Sequence, residues 1–151
     1  IMKNRNWEYP YDLFIKSIAQ KMRYTNDEKL KEYDLTSPQA LLLELIEREI
    51  RHGNEITRKN LESVMNLKGS SITNLLNGLD RKGCIIRSAG ISDGRTFQIQ
   101  VTSKGKNILT EMEKVFEETE EQLLKGMSQE EKKVFLDLLI RAYKNLYGET
   151  D

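Results

Sequence analysis

Hydrophobic residues recur every three or four positions over most of the chain, and this spacing predicts a largely helical protein. The first predicted helix follows Pro10 and breaks near Asp34. The second begins at a cap formed by Thr36 and Ser37 and ends at the glycine stop of Gly53. Each of the two prolines of the chain lies next to a predicted helix start, where its missing N–H group costs little.

The middle of the chain combines two short helices with two extended segments. Thr57 is expected to cap the first of these helices, and a turn at Gly69 leads into the second, which Gly83 closes. The β-branched segment 84–89 predicts a strand. Strict alternation of apolar and polar residues over 96–102 predicts its partner, so the two strands should form a hairpin.

Two longer helices complete the pattern. One runs from Ser103 towards Gly126, and the last opens at a capping box over 128–131. With a short extended piece at 55–56, the predicted order is α-α-(β)-α-α-β-β-α-α, a mainly α protein with a small β-hairpin wing. Two short helices joined by a glycine turn and followed by a hairpin are typical of a winged helix-turn-helix.

Composition indicates an ordinary globular protein. With 151 residues, of which 38% are hydrophobic, residues 1–151 can form a single unit with its own core. The one cysteine, Cys84, excludes an internal disulfide framework. Since no run approaches the roughly 18 apolar residues of a membrane span and no signal-peptide pattern opens the sequence, we expect a cytoplasmic protein without membrane contact.

The net charge of zero conceals an asymmetry along the chain. Residues 53–106 contain nine Lys and Arg against four Asp and Glu, whereas residues 107–151 contain six against eleven. Basic surface attracts phosphates and releases their counterions. The excess of positive charge therefore predicts that the module over 53–106 binds double-stranded DNA.

The candidate DNA contacts are the polar residues that remain once the apolar stripe of the second short helix is assigned to the core. In this module the second helix enters the major groove, where Asn can pair with adenine and Ser or Thr can meet a base or a phosphate. The alternative is that these residues only cap and solvate an ordinary helix, which the surrounding positive charge disfavours. The candidates, with the flanking cations, are Lys68, Ser70, Ser71, Thr73, Asn74, Asn77, Arg81, Arg87 and Arg95.

Three segments resemble successive blocks of the MarR family of transcriptional regulators: LTSPQALLLELI, ITRKNLESVMNLKGSSITNLLNGLDRKGCIIR and SDGRTFQIQVTSKG. The dense match runs from about Leu35 to Leu109. The resemblance implies a homodimer built from helices over 8–34 and 103–148, with the DNA-binding module over 53–106 between them. It also implies repression of nearby promoters that is sensitive to a small-molecule effector of unknown identity. A two-fold dimer in turn predicts an inverted-repeat operator.

The resemblance also implies a DNA-binding role for the hairpin tip. Asp93 would orient Arg95, whose guanidinium would enter the minor groove, where the narrow groove's negative potential attracts arginine. The alternative is a plain hairpin turn with an exposed charge. Two positions depart from the family pattern: Asn74 stands where many relatives have a basic residue, and Gly78 lies within the recognition helix, at a cost of about 1 kcal/mol relative to Ala.

The remaining signals favour structural roles. His52 is expected to cap or solvate a helix end, and Cys84 to pack in an apolar strand. No catalytic set, metal cluster or cofactor motif is apparent, so we expect no enzyme, and a winged-helix protein-interaction module without DNA binding is the main alternative. Four aromatic residues near the N-terminus suit either a dimer interface or an effector cavity: Trp7, Tyr9, Tyr11 and Phe14.

Overall fold

A computed structural model describes residues 7–88 and 95–148. Backbone contacts divide this part of the chain into two compact units, one up to Phe116 and one from Glu117. The elements within it are α1 (Pro10–Lys31), α2 (Ser37–Arg51), β1 (Ile56–Thr57), α3 (Arg58–Met65), α4 (Gly69–Arg81), β2 (Ile85–Arg87), β3 (Thr96–Phe97), β4 (Ile99–Val101), α5 (Ser103–Leu123) and α6 (Gln129–Tyr147).

Local capping accounts for the boundaries of α2. The Thr36 hydroxyl accepts from the backbone N–H of Gln39, and the backbone N–H of Thr36 donates to Gln39 Oε1 at 3.1 Å. This capping box satisfies two N–H groups that would otherwise lack a partner. The helix ends at Arg51, with His52 as its C-cap and Gly53 following in the left-handed region at φ +70°. The predicted start, the predicted stop and the capping role of His52 are confirmed.

The observed strand pairing differs in part from the predicted hairpin. β2 pairs antiparallel with β4, as expected for a hairpin, but β3 pairs antiparallel with β1, with Ile56 opposite Phe97. The segment predicted as one strand over 96–102 is therefore divided, and its first part pairs with the extended piece that leads into α3. The division occurs at Gln98, whose carbonyl accepts from Ser88 N at 2.9 Å, because each half of the segment satisfies the backbone groups of a different partner.

The hydrophobic core of the first unit lies between α2, α4 and the strands. Its fully buried side chains are Leu42, Leu43, Ile46, Leu61, Ile72, Leu76, Leu79, Cys84, Ile85 and Ile108. The first turn of α5 packs tightly against the residue that precedes β2, since a Cβ at Gly105 would clash with the Cys84 carbonyl oxygen. Only glycine fits at that position, which fixes the start of α5 against the wing strands.

Helix α6 belongs to the second unit and opens at the predicted capping box, in which Ser128 and Glu131 bond to each other's backbone N–H groups. It ends at Gly148 in the left-handed region, at φ 71°. None of its nineteen residues, all within the described part of the chain, is buried. Of the described helices, none combines the length and apolar character that crossing a bilayer requires.

Candidate nucleic-acid interface

A helix-turn-helix is formed by α3 and α4. Thr57 caps α3 through a 3.1 Å bond from Asn60 N, and Asn66 ends that helix in the left-handed region at φ 53°. The chain then enters α4 after Lys68, which makes no side-chain capping bond. The two short helices are thus set by local signals, and the N-terminus of α4 has no side-chain cap.

Four of the predicted DNA contacts share one exposed stripe on α4, which we call the recognition stripe: Ser70, Asn74, Asn77 and Arg81. Their spacing of three and four residues places them on one face of the helix. The buried residues Ile72 and Leu79 occupy the opposite face. Lys68 is exposed just before the stripe, and Ser71 lies half-buried beside it.

Thr73 has an internal role. Its hydroxyl donates to the Gly69 carbonyl at 3.0 Å and accepts from Arg58 Nη1 at 3.1 Å. The side chain is half-buried, and its one hydroxyl hydrogen is already used. The structure therefore separates Thr73 from the recognition stripe, and while these bonds persist its hydroxyl can contribute only as an acceptor.

Arg87, on β2, is paired with a carboxylate. Its Nε and Nη2 both lie 2.9 Å from Asp80 Oδ2, in the last turn of α4. The side chains of Arg87 and Asp80 are 33% and 41% exposed, so solvent and salt weaken the interaction. A phosphate would have to compete with Asp80 for this guanidinium.

The wing contributes Arg95, which is exposed immediately before β3. Its backbone carbonyl accepts from Arg58 N at 2.9 Å, one residue beyond the pairing of β1 with β3. Asp93 lies outside the described residues, so the orientation of Arg95 by Asp93 stays a prediction.

Arg58, at the first position of α3, is a residue that sequence reasoning missed. Its Nη1 lies 3.1 Å from both the Gly69 carbonyl and Thr73 Oγ1, and its guanidinium carbon lies 5.0 Å from the centre of the Phe97 ring. A cation in the first turn of a helix opposes the helix dipole. That unfavourable placement is the sequence signal that could have identified it.

The structure also explains Gly78. A Cβ at this position would lie 2.6 Å from Gln39 Nε2. Gln39 is buried, and its Oε1 accepts from Thr36 N and from Lys82 Nζ, each at 3.1 Å. The glycine that interrupts the recognition helix therefore allows α2 to approach α4 closely, and its propensity cost is offset by that contact.

A cavity of about 560 Å³ lies in the first unit, lined by side chains of α1, α2 and α5. Its wall is partly apolar, with Leu30, Leu41, Leu109, Met112 and Phe116, and partly charged, with Glu44, Glu47, Arg48, Arg51, Lys106 and Glu113. Asn26 Oδ1 and Glu47 Oε2 are buried without a hydrogen-bond partner among the described residues. The N-terminal aromatic residues are not among those that line it.

Comparison with known proteins gives consistent matches. Residues 25–112 match the family model described as transcriptional regulator SarA/Rot. A solved MarR family transcriptional regulator from Clostridium acetobutylicum is 31% identical, with a TM-score of 0.69 over 91% of this chain and 99% of its own. The expectations of a winged helix-turn-helix fold and of a non-enzymatic protein are confirmed by these matches.

Two structures of MepR from S. aureus resemble the chain over nearly its full length. MepR in complex with DNA is 26% identical, with a TM-score of 0.72 over 94% of this chain and 99% of that one. MepR bound to ethidium bromide aligns at 24% identity with a TM-score of 0.66, covering 95% and 99%. The second likeness shows the shared fold alone.

Proposed function

The chain belongs to the SarA/Rot family of MarR-like transcriptional regulators, and from this membership we propose that it binds duplex DNA as a homodimer on an inverted-repeat operator. The observation that carries the proposal is the recognition stripe, which is polar and exposed on the helix that this fold presents to the major groove. The relatives described above come from bacteria, in which the chromosome lies in the cytoplasm, and we propose the same location for this protein.

The proposed binding mode divides the contacts between helix and wing. Asn74 and Asn77 would meet base edges, and Ser70, Ser71, Lys68 and Arg81 would meet phosphates or bases around them. Arg95 would enter the minor groove, with Asp93 orienting it. Arg87 would contribute only in competition with Asp80. The solved complex of MepR with DNA supports the general arrangement.

Exposed apolar surface supports the homodimer. Leu138, Leu139, Ile140 and Leu146 of α6 are all between two-fifths and nine-tenths exposed within the single chain. Helix α1 also exposes apolar residues, among them Ile15, Tyr11 and Phe14, and Tyr9 just before the helix is exposed as well. A two-fold dimer through the helices over 8–34 and 103–148 would bury such surface and set two recognition helices about one DNA turn, ~34 Å, apart.

The cavity supports an effector-responsive repressor. Its volume of about 560 Å³ lies within the usual size of small-molecule sites. Buried acceptor atoms on Asn26 and Glu47 would find hydrogen-bond donors on a ligand. MepR, a protein of the same fold, has been solved with ethidium. We propose that a small molecule bound here alters DNA affinity.

The experiment is a fluorescence titration of labelled random duplex in a salt series, followed by selection of an operator from a random pool. Affinity should fall steeply with salt, and Arg81→Ala should flatten the slope of log affinity against log salt by about one. Lys125→Ala, an exposed cation after α5, is the charge-matched control and should leave the slope unchanged. Absence of binding to any duplex at ~50 mM salt would leave only a protein-interaction module.

A further inference from the structure

Arg58 lies where the three parts of the winged module meet. It directly follows β1 and begins α3, and it contacts both the start of α4 and the wing strand β3. The side chain is half-buried, unlike that of its neighbour Lys59, which is exposed. This placement differs from that of a cation presented to solvent for phosphate binding.

On the helix side, Arg58 holds the first turn of α4. Nη1 donates to the Gly69 carbonyl and to Thr73 Oγ1, both at 3.1 Å, and Thr73 itself bonds to Gly69 at 3.0 Å. Hydrogen bonds from a charged donor are stronger than neutral ones. A Cβ at Gly69 would lie 3.3 Å from Arg58 Nη1 and 2.6 Å from Glu62 Oε1, so both side-chain ends reach closely over this turn.

On the wing side, Arg58 holds β3 by two different contacts. Its guanidinium carbon lies 5.0 Å from the centre of the Phe97 ring, within the range of a cation–π interaction. Its backbone N–H donates to the Arg95 carbonyl at 2.9 Å, which extends the pairing of Thr57 with Thr96. The wing residue proposed to enter the minor groove is thus bonded through its backbone to Arg58.

We propose that Arg58 is a positioning residue that fixes the recognition helix and the wing relative to each other, so that the recognition stripe and Arg95 fit one DNA site together. The inference rests on the proposed function, because it concerns how the module discriminates among duplexes. A guanidinium suits this role, since it bonds α4 through Nη1 while its central carbon lies over the Phe97 ring. Lysine offers a point charge without that geometry.

The test compares Arg58→Met, Arg58→Lys and the control Lys59→Met by anisotropy on the selected operator and on a random duplex. Arg58→Met should weaken operator binding about tenfold and random-duplex binding less than about twofold, because discrimination depends on alignment. Arg58→Lys should remain at least about fivefold weaker on the operator. Lys59→Met removes the same charge from the same helix and should change both affinities by one common factor.

A double-mutant cycle of Arg58→Met with Arg95→Ala supplies a measurement that loss of stability alone would not change. If Arg58 acts through the wing, Arg95→Ala should cost operator affinity several-fold less in the Arg58→Met background than in the wild type. Thermal melts establish whether the variants are folded at the assay temperature. If Arg58→Met is not folded, Arg58→Lys replaces it in the cycle.

The two proposals fail in different ways. If the wild type binds no duplex, the proposed function is wrong. If the wild type discriminates between operator and random duplex while the folded Arg58 variants keep the same discrimination ratio, or if their effects add to that of Arg95→Ala within about twofold, the positioning role is wrong and DNA binding stands.

Discussion

At the scale of single residues, Gly78 on α4 and Gln39 on α2 approach each other closely. Ala at position 78 would gain about 1 kcal/mol of helix propensity. Its Cβ, however, would lie only 2.6 Å from Gln39 Nε2, so the Gln39 side chain would have to move. Gln39 cannot move freely, because its Oε1 accepts from Thr36 N and Lys82 Nζ. The cost of breaking these part-buried hydrogen bonds, about 1–3 kcal/mol, should exceed the gain in helix propensity.

We therefore predict that Gly78→Ala lowers the free energy of unfolding by about 1 kcal/mol in urea titrations. Asn77→Ala, at the exposed neighbouring position, is the control and should be neutral or slightly stabilising. In the Gln39→Ala background, Gly78→Ala should become stabilising, because the obstacle is gone. Equal stabilisation by Gly78→Ala and Asn77→Ala in the wild type would contradict the contact.

The single cysteine gives a prediction about pH. Burial raises the pKa of the Cys84 thiol above its ordinary value of 9.0, although Lys104 and Lys82 oppose the shift. Because the folded-state pKa is raised, the contribution of the neutral thiol to stability is fully present below pH 9.0 and is lost as the pH rises through the folded-state value.

The burial of Cys84 also predicts slow chemical modification. Labelling of Cys84 by a thiol reagent at pH 8 should be far slower in native protein than in urea. Equal labelling rates in the two conditions would show that Cys84 is accessible.

At the scale of elements, what the sequence predicted depended on how local each determinant is. The starts of α2 and α6 were predicted because their capping boxes lie within four residues, at Thr36 and Ser128. The division of segment 96–102 was not predicted, because it depends on the pairing of β3 with β1, about forty positions earlier in the chain. The role of Arg58 was missed for the same reason, as its side-chain partners lie 11 and 15 residues away.

The pairing of Asp80 on α4 with Arg87 on β2 gives a prediction for this pair of elements. Asp80→Asn should release the guanidinium for phosphate binding, raise the affinity for random duplex several-fold and make the salt slope steeper by about one. Arg95→Ala should have the opposite effect, with a slope flatter by about one on every duplex. The control is Glu55→Gln, which removes an exposed acid from the same basic module. If Asp80→Asn and Glu55→Gln give the same salt slope, Asp80 acts only through its general charge.

At the scale of the whole molecule, the buried core is confined to the first unit. Its last members are Ile108 and Met112 on α5, whereas no residue of α6 is buried. Apolar residues nevertheless fill much of α6, and Tyr143 and Tyr147 stack with their ring centres 4.3 Å apart. A helix that exposes this much apolar surface in the single chain is expected to have a partner, and we propose that a second copy covers it.

We predict that light scattering at micromolar concentration gives roughly twice the chain mass of 17.6 kDa, and that Leu139→Asp shifts the mass to that of the single chain. A charge at an apolar interface should be strongly destabilising to the dimer, whereas the core of the first unit contains no α6 side chain and should melt as before. Operator affinity should fall more than about a hundredfold, because each half-site would then be bound alone. Lys133→Asp introduces the same acid at an exposed polar position of α6 and should leave mass and affinity unchanged. A wild-type mass of 17.6 kDa would mean that the exposed apolar face of α6 serves something other than a homodimer.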